Sequence, residues 1–225
     1  MFIRYAVFYT PPAGAFADFC AAWLGWDSHQ SRRVDHPAVG DLDVAALTDV
    51  PRQYGFHATL KAPFGLHSGT TADGLSAAIT RLAARTAPVT VQQMTLQQHH
   101  GFMAIRPVGD VPALRALAAC IVRDLDPFRA PAKPSDIAKR RRRGLTPQQD
   151  LNLIQWGYPY VMDDFAFHMT LTGRVDDATA QSVADQLTPV LTPLIPQPFV
   201  IDHLTLLGQD TAGLFHEIHR YALAG

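Results

Sequence analysis

The sequence of 225 residues predicts a mixed helix-and-strand fold made of two related halves. Three observations carry that expectation. The stretch Phe56-His57-Ala58-Thr59-Leu60 recurs as Phe167-His168-Met169-Thr170-Leu171. Each copy is followed by the same order of elements, an amphipathic helical pattern and then a pair of strands. Register is kept as well: Thr95 in Met94-Thr95-Leu96 lies 38 positions after His57, and Thr205 in Leu204-Thr205-Leu206 lies 37 after His168. Together these point to an internal duplication. Two such halves packed about a pseudo-two-fold axis bring equivalent strands face to face across a groove.

Taken in order, Phe2 to Thr10 is aromatic and β-branched and is stopped by Pro11-Pro12, which reads as a strand. A helix is expected from about Ala13 to Leu24, and Gly25 to Gln53 reads as a long polar loop with little structure of its own. The first half, about residues 1–110, continues with a helix on Leu75, Ala78, Ile79 and Leu82 and strands over Val89–Gln97 and Gly101–Val108. A connector, about residues 111–160, opens with a helix on Leu114, Leu117, Ile121 and Leu125. Its basic run Lys139-Arg140-Arg141-Arg142-Arg143 precedes Thr146-Pro147-Gln148-Gln149, which has the form of a capping box and should start a helix ending near Trp156-Gly157. The second half, about residues 161–225, carries a helix on Ala180, Val183, Ala184 and Leu187 and strands over Phe199–Leu207 and Leu214–Ala222. The whole chain, residues 1–225, is expected to form one bilobal unit.

Composition narrows the functional classes. Lys plus Arg number 19 against 20 Asp plus Glu, so charge advertises no nucleic-acid or membrane partner, and no protein partner is implied. The first residues lack the pattern of a signal peptide, and no apolar run approaches the ~18 residues of a membrane span. A cytoplasmic location is expected. Cys20 and Cys120 sit among apolar residues and read as small hydrophobes, not as a disulfide or metal pair.

Strand alternation puts His57, Thr59 and Lys61 on one face, and His168, Thr170 and Thr172 on one face of the second copy. A phosphodiester needs a base for the attacking hydroxyl or water and an acid for the departing oxygen on the opposite side of phosphorus. Two imidazoles with ordinary pKa near ~6.5 suit both tasks. Thr59 and Thr170 would donate to the non-bridging oxygens, Lys61 would add positive charge, and the scheme requires neither a metal nor any other cofactor.

The extended blocks around these motifs carry a resemblance. Arg4-Tyr5-Ala6, Tyr54-Gly55-Phe56-His57-Ala58-Thr59-Leu60-Lys61-Ala62-Pro63-Phe64, Phe128-Arg129-Ala130-Pro131, Trp156-Gly157-Tyr158-Pro159-Tyr160-Val161 and Phe165 to Thr172 resemble the two-histidine (2H) phosphoesterase superfamily. Within it they are most similar to the branch of phosphonate-metabolism proteins that accompany carbon-phosphorus lyase genes. The resemblance implies a bilobal α+β fold, with two antiparallel sheets facing a central groove, helices outside and no metal in catalysis. It carries over His57, Thr59, His168 and Thr170 as the catalytic and phosphate-binding set. It makes a phosphorylated ribose cyclic phosphate an attractive substrate without settling it.

Plainer readings stand beside these. A lone strand histidine is usually structural, and threonine favours strands anyway; duplication of the pair on one face argues for chemistry. Lys139–Arg143 reads either as a solvated helix end or as a phosphate clamp with Arg140 and Arg141 resembling the paired arginines of that branch; an RNA-binding patch is a further reading. Arg4 shares a strand face with Phe2, Ala6 and Phe8, and is explained by a salt bridge or by substrate contact, with Tyr5 pointing the other way. Tyr158 either packs at a turn or lies over the sugar or base. His29, His36, His67, His99, His100, His216 and His219 read as surface or structural. The function expected is hydrolysis of a small cyclic or nucleotide-like phosphodiester; RNA-end processing of a 2′,3′-cyclic phosphate and a non-catalytic phosphate-ligand module are the alternatives.

Overall fold

Phe2 to Thr10 forms the expected strand, β1 (Arg4–Tyr9), and its alternation decides the two faces of the molecule. Tyr5, Val7 and Tyr9 join the main apolar core, while Ala6 and Phe8 form a separate small cluster with Leu207 and Phe215. The computed structural model describes residues 2–142 and 144–225, so Arg143 of the basic run lies outside the described residues. Next come α1 (Ala15–Leu24), β2 (Trp26–Asp27), β3 (Arg32–Arg33) and α2 (Val44–Thr48), then β4 (Ala58–Phe64), α3 (Ala72–Ala83), β5 (Val89–Val91), β6 (Met94–His99) and β7 (Phe102–Pro107). The connector holds α4 (Pro112–Asp124), α5 (Pro134–Arg141) and α6 (Pro147–Trp156). The chain closes with β8 (Met169–Thr170), α7 (Asp177–Leu191), β9 (Phe199–Ile201), β10 (His203–Gln209) and β11 (Phe215–Ala222). The polar stretch after α1 is less bare than expected, since it contains β2, β3 and α2. The start of α6 is as read: Thr146 and Gln149 form a reciprocal capping box, and Gly157 ends the helix at φ 73°.

The architecture is α+β with antiparallel sheets and a pseudo-two-fold duplication. Seven strands run in the order β11-β10-β1-β4-β8-β7-β6, joined at a narrow waist where Ala58 of β4 faces Met169 of β8. Ala58 and Met169 each follow a motif histidine, so these counterparts face one another. The same holds where β5 pairs with β9 antiparallel, Thr90 facing Val200. A residue that faces its own counterpart lies on a two-fold axis. About this axis the hairpins change sides: β6–β7 of the first half extends the sheet beside β8, and β10–β11 of the second half joins β4 through β1. Leu75, Ile79 and Leu82 of α3 and Val183 and Leu187 of α7 are buried in the common core, which leaves the opposite sheet face to form the groove.

Candidate active site

The waist gathers the two motifs. From the Ala58–Met169 pair, antiparallel alternation sets His57 opposite Thr170 and Thr59 opposite His168 on one face. The two histidines are then diagonal neighbours, with Cα atoms roughly 7–8 Å apart by sheet geometry. All four residues are half-buried, while Phe56, Ala58, Phe167 and Met169 between them are buried in the core. Each histidine stands one residue before its assigned strand, at the point where the chain enters the sheet.

Both rings are held in the same way. His57 Nδ1 lies 2.9 Å from the Gly55 carbonyl, and His168 Nδ1 lies 2.8 Å from the Ala166 carbonyl. A carbonyl only accepts, so each Nδ1 carries the hydrogen and donates it, which leaves Nε2 as the basic nitrogen of the neutral ring. The Thr59 hydroxyl lies 3.1 Å from His57 Nε2. Phe8 stacks on the His57 ring at 3.9 Å between centroids, and Tyr54 stands at 5.8 Å. Gly55 has φ 69°, and a side chain there would meet Ser28 Oγ at 2.6 Å, so glycine is required where the carbonyl turns towards the ring.

Burial disfavours the imidazolium and lowers His57 to about pKa 4; the Gly55 hydrogen bond opposes this and the neighbouring charge of His168 adds to it. His168 is lowered too, first by burial, against the Ala166 bond, and then by the charges of Arg106 and His100. His99 is lowered to about 4 by burial, Arg106 and the other histidines. These neutral rings carry a consequence for stability. In the unfolded chain they bind protons near pH 6.5, so stability is full above that value and falls as the pH drops towards 4. Denaturant midpoints should decline between pH 7 and pH 5, above the carboxylate range, and His99→Gln should flatten the slope; a midpoint constant over that window would contradict the assignment.

Lys61 is not on the groove face. Phe8 faces Thr59 and Val7 faces Lys61, so Leu60 is the extra residue of a β-bulge that turns Lys61 to the helix side. There it is 3% exposed, with Nζ 3.1 Å from the Val122 carbonyl and 3.4 Å from Asp126, which also binds Arg129. Burial lowers its pKa to about 8. The second copy is bulged at the same place: Leu171 and Thr172 both donate to the Met103 carbonyl, and Thr172 is 1% exposed. Lys61→Met, which keeps the packing and leaves Asp126 paired with Arg129, should therefore change kcat/KM by less than about threefold and stability by about 1 kcal/mol. A loss of a hundredfold in steady-state rate would return Lys61 to the site.

Arg4 does lie on the face of Phe8, four residues or roughly 13 Å along β1. Its Nε donates to Gln209 Oε1 at 2.6 Å, an amide and not the salt bridge considered from sequence. Arg140 and Arg141 take partners from the α5–α6 corner. Arg140 stacks over Tyr158 at 4.7 Å, and Arg141 binds the Asp150 carboxylate at 2.6 and 2.9 Å. Tyr158 lines a small cleft with Phe64, Arg129 and Trp156, by the far end of β4. His99, expected to be a surface or structural residue, lies on the groove face with its ring 5.3 Å from that of His168. Phe102 stands at 5.6 Å from the same ring. Arg106, missed from sequence, shares this face.

The fold is found in E. coli LigT complexed with 3′-AMP, with a TM-score of 0.50, 16% identity and coverage of 99% of this chain and 98% of that one. In sequence, the chain is 31% identical over 233 residues to a protein of Janthinobacterium sp. named ribose 1,5-bisphosphate phosphokinase PhnN, covering 99% of this chain and 51% of that protein. A protein of the same name from Laribacter hongkongensis is 33% identical over 214 residues, covering 94% of this chain and 49% of its own length. The chain thus spans about half the length of these relatives. The model of the family described as protein of unknown function DUF1045 matches residues 59–216, and the chain belongs to that family.

Proposed function

We propose that the chain is a phosphoesterase that hydrolyses a small cyclic or nucleotide-like phosphodiester, without a metal, by acid-base catalysis between His57 and His168. The observation that carries this reading is the square of His57, Thr59, His168 and Thr170 at the waist, with both rings fixed through Nδ1 and each Nε2 left as the basic nitrogen, that of His57 accepting from the Thr59 hydroxyl at 3.1 Å. A diester seated over the square has an imidazole on either side of phosphorus. One takes a proton from water as its oxygen bonds to phosphorus; the other gives a proton to the ester oxygen as that bond breaks. The Thr170 hydroxyl donates to a non-bridging oxygen, and the Thr59 hydroxyl does so once the substrate draws it from His57 Nε2. Arg4, along the same face, and Arg140, Arg141 and Tyr158, at the α5–α6 corner, are outer contacts for a longer substrate.

The LigT complex with 3′-AMP supports a nucleotide-like ligand for this fold, and the ribose 1,5-bisphosphate in the relatives' name supports a ribose phosphate of phosphonate metabolism. A phosphorylated ribose cyclic phosphate joins the two. Phosphorus NMR of cyclic phosphates and dinucleotides, run with chelator, tests the reading. A cyclic phosphate should open to a monoester with the parent and stay closed with His57→Ala. Abolition by chelator would sink it. Ligand binding that survives both His57→Ala and His168→Ala, with no hydrolysis by the parent, would mark a binding module, and salt-sensitive RNA binding lost on changing Arg140 and Arg141 would mark RNA-end processing.

A further inference from the structure

The groove face of the β6–β7 hairpin carries a cation that the hydrolytic scheme leaves unused. Arg106 lies two residues beyond Ala104, the partner of Thr170, and so on the same face as the second motif. It is half-buried; its Nε is buried with no hydrogen-bond partner, and its Nη1 makes only a 3.4 Å contact to Gln97 Oε1. Gln97 is itself fixed by donating to Thr95 Oγ1 at 2.9 Å, which turns its carbonyl oxygen to Arg106. No carboxylate is ion-paired with Arg106 among the described residues.

The other lobe shows how such a position is ordinarily satisfied. Thr95 faces Arg106 across the first hairpin, and its counterpart Thr205 faces Arg220 across the second. Arg220 binds the Glu217 carboxylate at 2.9 and 3.0 Å and the Pro11 carbonyl at 3.0 Å. Counterpart positions thus hold the same side chain, one neutralised by its own carboxylate and one keeping its charge beside His168 and His99. The guanidinium turns outward to β6, away from the waist, so an anion that it holds sits over β7 and β6, roughly 7–12 Å out from a phosphate seated over β4 and β8. Arginine's fork suits a phosphate in particular, and His99, a neutral imidazole at this edge, adds a donor.

We propose that Arg106, flanked by Gln97 and His99, is a subsite for a second, non-reacting phosphomonoester of the substrate, and so selects phosphodiesters that carry a further phosphate on the His168 side. The proposal rests on the phosphoesterase reading of the waist and adds a specificity-determining residue to it. The test compares kcat/KM on adenosine 2′,3′-cyclic phosphate with and without a 5′-phosphate. The parent should favour the substrate with the 5′-phosphate by roughly tenfold or more. Arg106→Gln should bring that ratio to about one, and Arg106→Lys, which keeps the charge and the packing, should lie between. A ratio unchanged in Arg106→Gln, or an equal loss on both substrates, would overturn the subsite, the latter because Arg106 would then serve the reacting phosphate. Should the parent open neither substrate, the hydrolytic reading fails by itself and calorimetric titration with inorganic phosphate decides the subsite. Binding lost in Arg106→Gln and kept in His57→Ala supports it; no binding by the parent, or loss confined to His57→Ala, overturns it.

Discussion

Replacing His168 by alanine is expected to lower kcat by about 10²- to 10⁴-fold, and replacing His57 to do so by a similar factor. The expectation follows from the symmetry of the waist. Each ring is held through Nδ1 by the carbonyl two residues before it, and each faces the other motif's threonine. In the proposed mechanism the two proton transfers serve one displacement, so the double variant should lose little more than either single one. Initial rates under saturation, with circular dichroism to show that the sheet persists, make the measurement. A single variant that keeps activity within tenfold of the parent would remove that ring from the chemistry.

The same pair should set an unusual pH profile. In the proposed mechanism one ring is neutral and the other charged, and burial holds both below the ordinary value of 6.5, His57 at about 4, with the charge of His168 adding to the shift of His57 and those of Arg106 and His100 to the shift of His168. In the free protein the bell in kcat/KM should therefore lie on the acid side of pH 6.5. A bound diester brings a negative charge between the rings and favours the imidazolium, so the bell in kcat should shift to higher pH. The two limbs belong to the pair as a coupled system, not to one ring each.

How much of this was legible in the sequence depends on which residues one takes. The duplicated His-x-Thr blocks and the matched Thr95 and Thr205 gave the two-fold arrangement, because they recur in register and the structure seats counterparts on the axis. The capping box of α6 was legible because it is a local device whose partners are three residues apart. Lys61 was misjudged because alternation was carried past Leu60, where the bulge inverts the faces; a bulge is a backbone event that no residue type at that place announces. His99 and Arg106 were missed for a different reason. They sit on the hairpin that crosses to the second motif, so their nearness to His168 is a fact of tertiary topology. One signal did exist. His100 and Gly101, at φ 49° and 82°, form the turn one residue later than the His99-His100 turn expected from sequence, which leaves His99 as the last strand residue on the face of Gln97 and Thr95.

Phe8→Ala is expected to cost about 3–5 kcal/mol of stability, a large share of the ~5–15 kcal/mol that holds an ordinary domain together. Phe8 is fully buried under the groove, stacked on His57 at 3.9 Å and 5.8 Å from Phe215, in a small cluster whose other members are Ala6, Leu207 and the flanking Tyr54. With so few neighbours on that face, the space left by the ring has little to collapse into it, and chemical denaturation should show the loss directly. Phe8→Leu separates packing from positioning. Leucine keeps most of the apolar volume and should cost only about 1 kcal/mol. It offers no flat face to the imidazole, however, and a ring displaced by a fraction of an ångström no longer holds Nε2 in line with phosphorus. We therefore expect kcat of Phe8→Leu to fall by about tenfold while KM stays near its parent value, since the loss is one of alignment in the transition state. If Phe8→Leu kept full kcat, the Nδ1 bond to Gly55 alone would suffice to orient His57, and Phe8 would be a core residue that happens to touch it.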